Sequence, residues 1–590
     1  MRIFLGVLTR GQVPARSLMA RIETMARATL PFGARAHRSG VWVAPSGRLA
    51  VWVWDNQASA GDALVDIGAD GRSARAWGGF DYMLASGDAS GMTADDVTGS
   101  LTASTSLGRL APVYWTRTAD AWLVSGRALL LARLASSDGL PKYDPASLVP
   151  FVTDGYLRHD RTPYVDVHLL GPAGSLTVQG DSMQIAVTDP ADLRCGSLEP
   201  DEADLDELTR ELERAVTSSA AGDVVCTLTG GRDSRLVAAT LHAAGIPFRA
   251  RTRGAPDHPD VLVAARVAEV LGVPHERVPL PTMTPGDGEF LEVDLASRVR
   301  SVLFASDGML FGWENTIGAS VASSEGGTTF GGSGGETLRG GFAKRVSKDL
   351  EPSWEAASAF LWSRHEQFGR LFRPGVTDDY SRTLQAWIDA DRAAGVPAGV
   401  SLDRYYVWYR TGRWKAAFLA GANVVDVRHP LLDDQITRIG LRLTPAAKAA
   451  NGIAQRLTIR VAPGLRDVPY ADGSHAHTEV DDGAPASATA SPFDWRRTTT
   501  DQMFPAFRDQ VFEGSGSRAL FTLMHRDRLA RWFDRRAGTP APNFARIPMF
   551  MWGLYSCSVL LSNDWLDPER GAAQLVRVRM PAGQAIDDND

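Results

Sequence analysis

Residues 224–241, which read VVCTLTGGRDSRLVAATL, constrain the fold of this chain more than any other stretch. The first five are apolar or β-branched, as a buried parallel strand requires, and residues 236–241 have the composition of a helix. A strand that breaks into a Gly-Gly turn and resumes as a helix points several backbone N–H groups at one spot. The helix dipole also favours negative charge there, so the stretch predicts a phosphate-binding turn.

The polar residues of this turn predict a metal ion as well. Asp233 would repel a bare phosphate, and Mg²⁺ bridging its carboxylate to phosphate oxygens would explain the presence of an acid at this position. The alternative is an ordinary strand-to-helix turn in which Asp233 or Ser234 caps the helix. The order of residues is neither that of a Walker loop nor that of a GxGxxG dinucleotide turn.

Two later stretches carry related features. Residues 328–342 read TTFGGSGGETLRGGF, which predicts a strand followed by a glycine-rich turn containing Glu336. Residues 423–436 read NVVDVRHPLLDDQI. Together the three stretches resemble the asparagine synthetase family of ATP-dependent amide ligases, which cleave ATP between the α and β phosphates. The first is similar to the family's SGGxDS pyrophosphate loop, with Thr229 in place of Ser, and the third to its E-x-R-x-P-F-L-D segment.

The resemblance implies a set of nucleotide-binding residues. Glu336 stands where the family has an Asp that supplies the second metal ligand, so Asp233 and Glu336 are the expected Mg²⁺ ligands. Arg339 is the best candidate for neutralising pyrophosphate, with Arg232 and Arg235 as others, although each could be a plain surface charge. The expected contacts to ATP and pyrophosphate come from Leu228, Thr229, Gly230, Gly231, Arg232, Asp233, Ser234, Thr252, Gly332 and Gly334.

The resemblance also implies catalytic residues, but incompletely. Asp426 aligns with the acid of a catalytic dyad in lactam-forming members, and the Tyr of that dyad corresponds here to Ser333. A salt bridge from Asp426 to Arg428 or Arg413 is an equal alternative. The family's late Lys has no counterpart near residues 465–474, and Lys448 and Lys415 are weak substitutes, so that role stays open.

Composition narrows the class of protein. The chain of 590 residues has a formal charge of −7, which gives no basic footprint for nucleic acid. It contains no apolar run long enough to span a membrane and no N-terminal signal, so we expect a cytoplasmic protein. Its three cysteines have no metal-binding spacing, and Cys226 is expected to be a small core residue.

The distribution of patterns predicts two domains. Residues 1–200 contain hairpin-like pairs of strands around residues 45–47 and 116–120, which indicates an antiparallel, sheet-rich domain. Residues 201–590 begin with alternating strands and helices, including a helix over residues 260–271 that ends at Gly272. The resemblance implies an α+β, glutaminase-like (Ntn-type) domain, followed by an α/β parallel-sheet ATP-pyrophosphatase domain with a large helical part.

The second residue bears on the source of nitrogen. Family members that release ammonia from glutamine have a nucleophilic Cys directly after the initiator Met, whereas this chain has Arg2. The nitrogen nucleophile is therefore expected to be an amine of the substrate. Cys-less members include β-lactam synthetases and the lasso-peptide macrolactam cyclases, which join an Asp or Glu side chain to the peptide's N-terminal amine.

The size of the chain and its aromatic helical half, from Trp354 to Phe418, favour the peptide cyclase. Its partners would be a precursor peptide, with a leader-peptide-binding protein and a leader peptidase as further candidates. A β-lactam synthetase-like or sugar-acid amide ligase remains an alternative, as does a non-catalytic peptide-binding scaffold. For any one residue of the aromatic half, a role in the core is more probable than a role in binding.

Overall fold

A computed structural model of the chain describes residues 1–11, 14–31, 37–56, 62–79, 83, 89–254, 256–278, 290–314, 327–421, 427–449, 452–472, 496, 499–535, 546–567 and 571–579. Within these ranges, no helix is both long enough and apolar enough to cross a membrane.

The first two hundred residues fold mainly into antiparallel strands. These are β1 (Arg2–Thr9), β2 (Arg38–Val43), β3 (Leu49–Asp55), β4 (Asp66–Ile67), β5 (Ser73–Gly78), β6 (Ser90–Asp95), β7 (Ser100–Ser104), β8 (Tyr114–Arg117), β9 (Ala121–Ser125), β10 (His168–Leu169), β11 (Gly174–Gln179) and β12 (Ser182–Val187). The accompanying helices are α1 (Met19–Arg27), α2 (Ala128–Ala135) and α3 (Leu148–Asp154).

These strands form two six-stranded sheets, in the orders β10-β8-β9-β1-β3-β2 and β12-β11-β7-β6-β5-β4. Both predicted hairpins are confirmed, because β2 pairs with β3 and β8 pairs with β9, each antiparallel. Strand β10 is only two residues long. Asp166 has a φ of 60°, and this left-handed conformation interrupts the extended backbone just before it.

The two sheets pack face to face. Phe4 and Val51 of the first sheet share a buried apolar cluster with Leu101 and Leu176 of the second. The opposite face of the first sheet, which includes Leu5, belongs to a larger cluster with α1, α2 and α3. The alternation of side chains along each strand thus fills two separate layers.

The second half contains the predicted parallel sheet. Its strands are β13 (Val224–Thr227), β14 (Arg249–Arg253), β15 (His275–Val278), β17 (Thr328–Phe330) and β18 (Val427–Arg428), while β16 (Phe290–Asp294) and β19 (Leu575–Arg579) form a separate antiparallel pair. The parallel strands lie in the order β15-β14-β13-β17-β18. The order reverses between β13 and β17, and ligands of open α/β sheets bind beyond the carboxyl ends of the strands at such a point.

Three helices belong to the start of this α/β unit. They are α4 (Glu202–Thr217), α5 (Arg232–Ala243) and α6 (Pro259–Leu271). Asp201 and Asp204 form a capping box that begins α4, and Gly272, with a φ of 67°, ends α6 as the sequence predicts. Cys226 is fully buried in β13, and burial raises the pKa of its thiol to about 12.

The remaining elements are mostly helical. They are α7 (Leu295–Ala305), α8 (Trp354–Phe368), α9 (Asp378–Ala393), α10 (Ala398–Tyr405), a π-helical segment (Tyr406–Lys415), α11 (Ala416–Gly421), α12 (Asp434–Arg442), α13 (Pro445–Lys448), α14 (Gly452–Val461), α15 (Phe504–Glu513), α16 (Ser517–Leu523), α17 (Arg526–Asp534) and α18 (Arg546–Ser562). Short 3₁₀ turns connect several of them, including one at Gly335–Leu338. The π-helical segment continues α10 and leads into α11 without a break.

Candidate active site

The first glycine turn lies between β13 and α5, where the sequence predicts a phosphate cradle. The Ser234 hydroxyl accepts from the Thr229 N–H at 3.1 Å, and the Thr229 hydroxyl accepts from the Gly231 N–H at 3.2 Å. The Gly230 N–H donates to the Asp260 carboxylate of α6 at 2.8 Å. Gly231 precedes α5 and makes no side-chain cap for the helix. The first N–H groups of α5 therefore have no intrahelical partner, and they lie beyond the carboxyl end of β13.

The second glycine turn follows β17 and touches the first. A Cβ atom on Gly332 would lie 2.4 Å from the Ser234 nitrogen, and one on Gly335 would lie 2.1 Å from a carboxylate oxygen of Asp233. Gly334 has a φ of 106°, which an L side chain rarely adopts. Only glycine at these positions lets the two turns pack this closely, and the contact brings Asp233 to the turn that carries Glu336.

Asp233 does not cap α5, because its carboxylate is held by Arg339. The two guanidinium–carboxylate hydrogen bonds measure 2.9 and 2.5 Å, a bidentate pair in which both side chains are less than one-fifth exposed. Burial raises the pKa of Asp233 and the nearby Glu336 adds to this, whereas Arg339 and Arg232 oppose it. The site thus contains two acids whose mutual repulsion is balanced by arginine.

These two acids fit the requirements of Mg²⁺. Among the described residues, no group of three or more His, Cys, Asp or Glu side chains is arranged to hold a metal by itself. Mg²⁺ is commonly held by one or two carboxylates together with substrate phosphates. Asp233 lies at the first turn, whose N–H groups suit phosphate, and Glu336 lies in the adjacent second turn. The two acids therefore match that arrangement.

Thr252, Leu228 and Arg232 are also predicted to bind the nucleotide, and each makes contacts within the protein. The Thr252 hydroxyl is buried and donates to the Leu228 carbonyl at 2.7 Å, which ties the end of β14 to the first turn. Arg232 is paired with Asp472 at 2.9 Å and lies over the Tyr470 ring. Ala471 and Asp472, which the sequence does not predict to be part of the site, therefore contact the first turn; the Ala471 N–H also donates to the Gly230 carbonyl.

Arg235, which the sequence suggests as a pyrophosphate contact, does not reach the crevice. It is 1% exposed, and its guanidinium donates to the carbonyl oxygens of Val468 and Pro469 at 2.7 Å. The expectation for this residue is therefore wrong. The spacing from Asp233 places Arg235 on the inner side of α5, where it fixes the segment leading to Tyr470.

Sequence reasoning misses one lysine near the site, Lys344, and gives too little weight to another, Lys415. Lys344 follows the second turn, and its pKa is lowered by burial and by the neighbouring Arg339 and Arg232. Lys415, at the end of the π-helical segment, is 7% exposed and its ammonium donates to the Ser333 hydroxyl at 3.4 Å. Burial lowers the pKa of Lys415 to about 8, with Glu336 opposing this shift and Arg410 adding to it. Lysine is rare in this chain, which has only five, and this rarity is the signal that could have drawn attention to Lys415.

The expected catalytic dyad is only partly within the described residues. Asp426, with its predicted role as an acid and its alternative salt bridge, lies outside them. Ser333 is exposed at the tip of the second turn and contacts Lys415. Tyr406 of the π-helical segment, which the sequence does not indicate, lies close to Glu336, and burial together with that carboxylate raises the pKa of its hydroxyl.

Arg2, which stands where glutamine-hydrolysing family members have a Cys, is engaged in contacts within the first domain. The Arg2 side chain is 8% exposed, donates to Asp55 at 2.8 Å and lies 3.9 Å from the centre of the Trp77 ring. The terminal amine of Met1 donates to Asn56 at 2.7 Å. Arg2, the first residue of β1, therefore lies in a buried ion pair.

Comparison with known proteins agrees with the geometry of the second half. Residues 207–471 match the model of the asparagine synthase family. The match supports an asparagine synthetase-like family, whose members are ATP-dependent, AMP-forming ligases, and it indicates an enzyme that forms amides in general terms. No curated protein matches the chain.

Two solved structures show partial likeness. One is the allosteric regulatory enzyme of purine biosynthesis, at 10% identity over 48% of this chain and 82% of that chain, with a TM-score of 0.20. The other is glutamine phosphoribosylpyrophosphate amidotransferase from B. subtilis complexed with ADP and GMP, at 12% identity over 58% and 77%, also with a TM-score of 0.20. Neither likeness bears on the activity of this chain.

Proposed function

We propose that this protein uses ATP to activate an Asp or Glu side chain of a precursor peptide and joins it to the peptide's N-terminal amine as a macrolactam. The observation that carries the ligase chemistry is the contact between the two glycine turns, which brings Asp233 to the turn of Glu336 at the reversal point of the parallel sheet. The matched family domain, residues 207–471, contains both turns.

In the activation step, one carboxylate oxygen of the substrate attacks the α-phosphorus of ATP. The α–β P–O bond breaks, and its electron pair leaves with pyrophosphate. Mg²⁺ held by Asp233 and Glu336 would supply charge compensation on the phosphate oxygens. The first turn of α5 would bind phosphate through its N–H groups, and Arg232, Arg339 and Lys344 would offset the charge of the departing pyrophosphate.

In the second step, the substrate amine attacks the acyl carbon, AMP leaves, and the amine loses one proton. The charge that develops on the carbonyl oxygen needs a fixed positive group nearby. Lys415 is our candidate for this role, because its ammonium is buried beside the tip of the second turn. Asp426 and Tyr406 are candidates for accepting or relaying the proton.

The buried Arg2 supports a substrate amine as the nitrogen source, because a side chain in an ion pair with Asp55 cannot attack glutamine. The partner would then be the precursor peptide, with a leader-peptide-binding protein and a leader peptidase as further candidates. The protein would act in the cytoplasm, where ATP and Mg²⁺ are available.

A ligase for a small acid, such as a β-lactam synthetase-like or sugar-acid enzyme, is favoured by one observation. Most of the aromatic helical half is core, since Tyr405, Trp408 and Tyr409 are each less than one-tenth exposed. Within residues 405–419, the partly exposed side chains form a stripe of Tyr406, Arg410, Trp414 and Phe418. A narrow stripe suits a small acid as well as it suits one segment of a peptide.

The test is a product analysis with ATP, Mg²⁺ and the linear precursor peptide. We expect AMP and pyrophosphate, a peptide lighter by about 18 Da for the loss of one water, and no consumption of glutamine. A peptide with an acetylated N-terminus should still give AMP but should not cyclise. ADP and phosphate as products would contradict the ligase chemistry, and amidation of a small acid with the peptide unchanged would favour the alternative.

A further inference from the structure

A second set of charged side chains lies beside the glycine turns, on the side of Lys415. We call Glu314, Arg410, Trp414 and Lys415 the Glu314 cluster. Glu314 is 7% exposed and its carboxylate accepts from the Trp414 indole N–H at 2.7 Å. Burial raises the pKa of Glu314, while Arg410, Arg496 and Arg298 oppose the shift. One buried acid is thus surrounded by several cations.

The π-helical winding brings two of these cations together. In a π-helix the backbone hydrogen bonds join residues five positions apart, so Arg410 and Lys415 lie about one turn apart on the same side. In an α-helix, residues five apart diverge around the axis. The unusual winding therefore builds a two-cation face that ends at Ser333 of the second glycine turn.

The guanidinium of Arg410 lies over two aromatic rings. Its central carbon lies 3.9 Å from the centre of the Trp414 ring and 5.0 Å from that of Tyr156, a buried residue of the first domain. Within the described part of the chain, Arg410 makes no hydrogen bond and no ion pair. Stacking fixes the plane of a guanidinium and leaves its edge free for a two-oxygen anion.

The other cations near Glu314 are differently engaged. The Arg298 guanidinium donates to the carbonyl oxygens of Gly312, Trp313 and Glu314, and Arg496 donates to the Trp313 carbonyl. The Lys415 ammonium has only the Ser333 hydroxyl at 3.4 Å as a hydrogen-bond partner among the described residues. Among the described cations around Glu314, Arg410 and Lys415 are therefore the two that are held neither by a backbone carbonyl nor in an ion pair.

We infer that Arg410 and Lys415 form a carboxylate-binding subsite for the acid substrate, and that it holds the carboxyl group that is activated. The inference rests on the proposed ligase activity, which requires such a carboxylate next to the phosphate turns. Lys415 contacts the tip of the second turn, so a carboxylate held between the two cations lies beside the turn that carries Glu336.

A carboxylate fits this face better than a phosphate does. The first turn of α5, Arg232, Arg339 and Lys344 already provide a separate set of phosphate donors. Glu314 would repel a dianion more strongly than a singly charged carboxylate. When the acid becomes an acyl-adenylate, it loses its negative charge, and Lys415 remains beside its carbonyl oxygen.

The test uses the full-length protein with ¹³Cε-labelled lysine, without ATP. The five lysines, Lys142, Lys344, Lys348, Lys415 and Lys448, give few NMR signals, and Lys415→Gln assigns the relevant one. The probe is N-acetyl-glutamate α-methylamide, which has one side-chain carboxylate, and its uncharged counterpart is N-acetyl-glutamine α-methylamide. We expect a saturable shift of the Lys415 signal with the acid and none with the amide.

The Arg410→Gln variant should weaken acid binding at least tenfold. Arg410→Lys, which keeps the positive charge but not the two parallel N–H donors of a guanidinium, should weaken binding less. Arg382→Gln, an arginine 72% exposed on α9, is the matched control and should leave binding unchanged. The inference is overturned if the Lys415 signal does not respond to the acid, or if Arg410→Gln has no effect. It is also overturned if inorganic phosphate gives the stronger, Arg410-dependent response.

This readout is separate from turnover. AMP and pyrophosphate formation is measured in parallel with wild-type protein, ATP and the precursor peptide. Acid binding without AMP formation would count against the proposed function and leave the subsite in place. AMP formation without Arg410-dependent binding would count against the subsite alone.

Discussion

Single contacts between the two glycine turns determine where Asp233 lies. Its carboxylate accepts hydrogen bonds from Arg339 on one side and faces the backbone of Gly335 on the other. The space that a methyl group on Gly335 would fill is occupied by a carboxylate oxygen, 2.1 Å from the ideal Cβ position. The position of the predicted metal ligand thus depends on the absence of a side chain one hundred residues away in the sequence.

Gly335→Ala should therefore displace the Asp233 carboxylate. We expect a loss of at least tenfold in kcat for AMP formation, since small misplacements of a charged group are costly in a preorganised site. Gly369→Ala is the matched control, because the nearest side-chain atom lies 3.7 Å from its ideal Cβ position. Steady-state kinetics of AMP release would measure both, and equal activity of the two variants would contradict the assigned contact.

Lys415 should show opposite effects on stability and activity. Its folded-state pKa of about 8 is below the unfolded value, so the fold disfavours the protonated amine. The penalty is fully present below pH 8 and disappears as the pH rises from about 8 toward the unfolded pKa near 10.4. Lys415→Met should therefore raise the free energy of unfolding at pH 7, by at most about 3 kcal/mol, and the gain should shrink above pH 8.

The same substitution should lower the rate of amide formation by at least tenfold, because a fixed positive charge is lost beside the reacting carbonyl. Denaturant unfolding across pH 6–10 and product assays at the same pH values would test both statements. Lys448→Met is an instructive comparison, since Lys448 is also buried but is paired with Asp403 at 3.1 Å, so its loss should destabilise the protein. A Lys415 variant that is less stable than wild type at pH 7 would refute the account.

At the scale of elements, the π-helical segment connects the two halves of the chain. Arg109, a fully buried residue of the first domain, donates to the carbonyl oxygen of Trp408 at 2.6 Å. A Cβ on Gly412 would lie 2.9 Å from the carbonyl oxygen of Gly108. The first domain therefore touches the backbone of the segment that carries Arg410 and Lys415.

Gly412→Ala should push the π-helical segment away from Gly108. Because the obstructing atom is backbone, relief needs a shift of the whole segment, and we expect a destabilisation of roughly 1–3 kcal/mol. Amide formation should fall with it, since Lys415 lies three residues further along. Thermal unfolding and product assays, again with Gly369→Ala as control, would measure the two effects. Unchanged activity in a destabilised variant would show that the segment's position does not matter for the chemistry.

The local elements of this fold could be predicted from the sequence, but the contacts across it could not. The strand, Gly-Gly turn and helix of residues 224–241 follow from short-range composition, and so do the hairpins of the first domain and the C-cap at Gly272. The contact of Lys415 with Ser333 spans 82 positions and depends on π-helical winding, for which the sequence has no periodic signal. The inward position of Arg235 likewise depends on which side of α5 faces the segment before Tyr470.

At the scale of the molecule, one large apolar cluster contains residues of both predicted domains. The largest buried cluster includes Leu148 and Phe151 of α3 together with Phe311 and Trp552 from the second half. A Cβ on Gly553 of α18 would lie 2.2 Å from the Val152 carbonyl oxygen, so α18 packs directly against α3. The boundary near residue 200 therefore separates two patterns of secondary structure, and the largest apolar cluster crosses it, while the two N-terminal sheets and the parallel sheet also have clusters of their own.

A shared core predicts that both halves unfold together. Arg127 and Asp307 form an ion pair across this boundary at 2.7 Å, with the side chains 1% and 6% exposed. Arg127→Met would leave Asp307 buried without its partner, which should cost about 3–5 kcal/mol. We expect one calorimetric transition in wild type, shifted as a whole to lower temperature in the variant, whereas Arg117→Met, at a residue 45% exposed, should leave it in place. Two separate transitions, or a shift confined to one of them, would mean that the first domain folds independently and does not support the π-helical segment at the site.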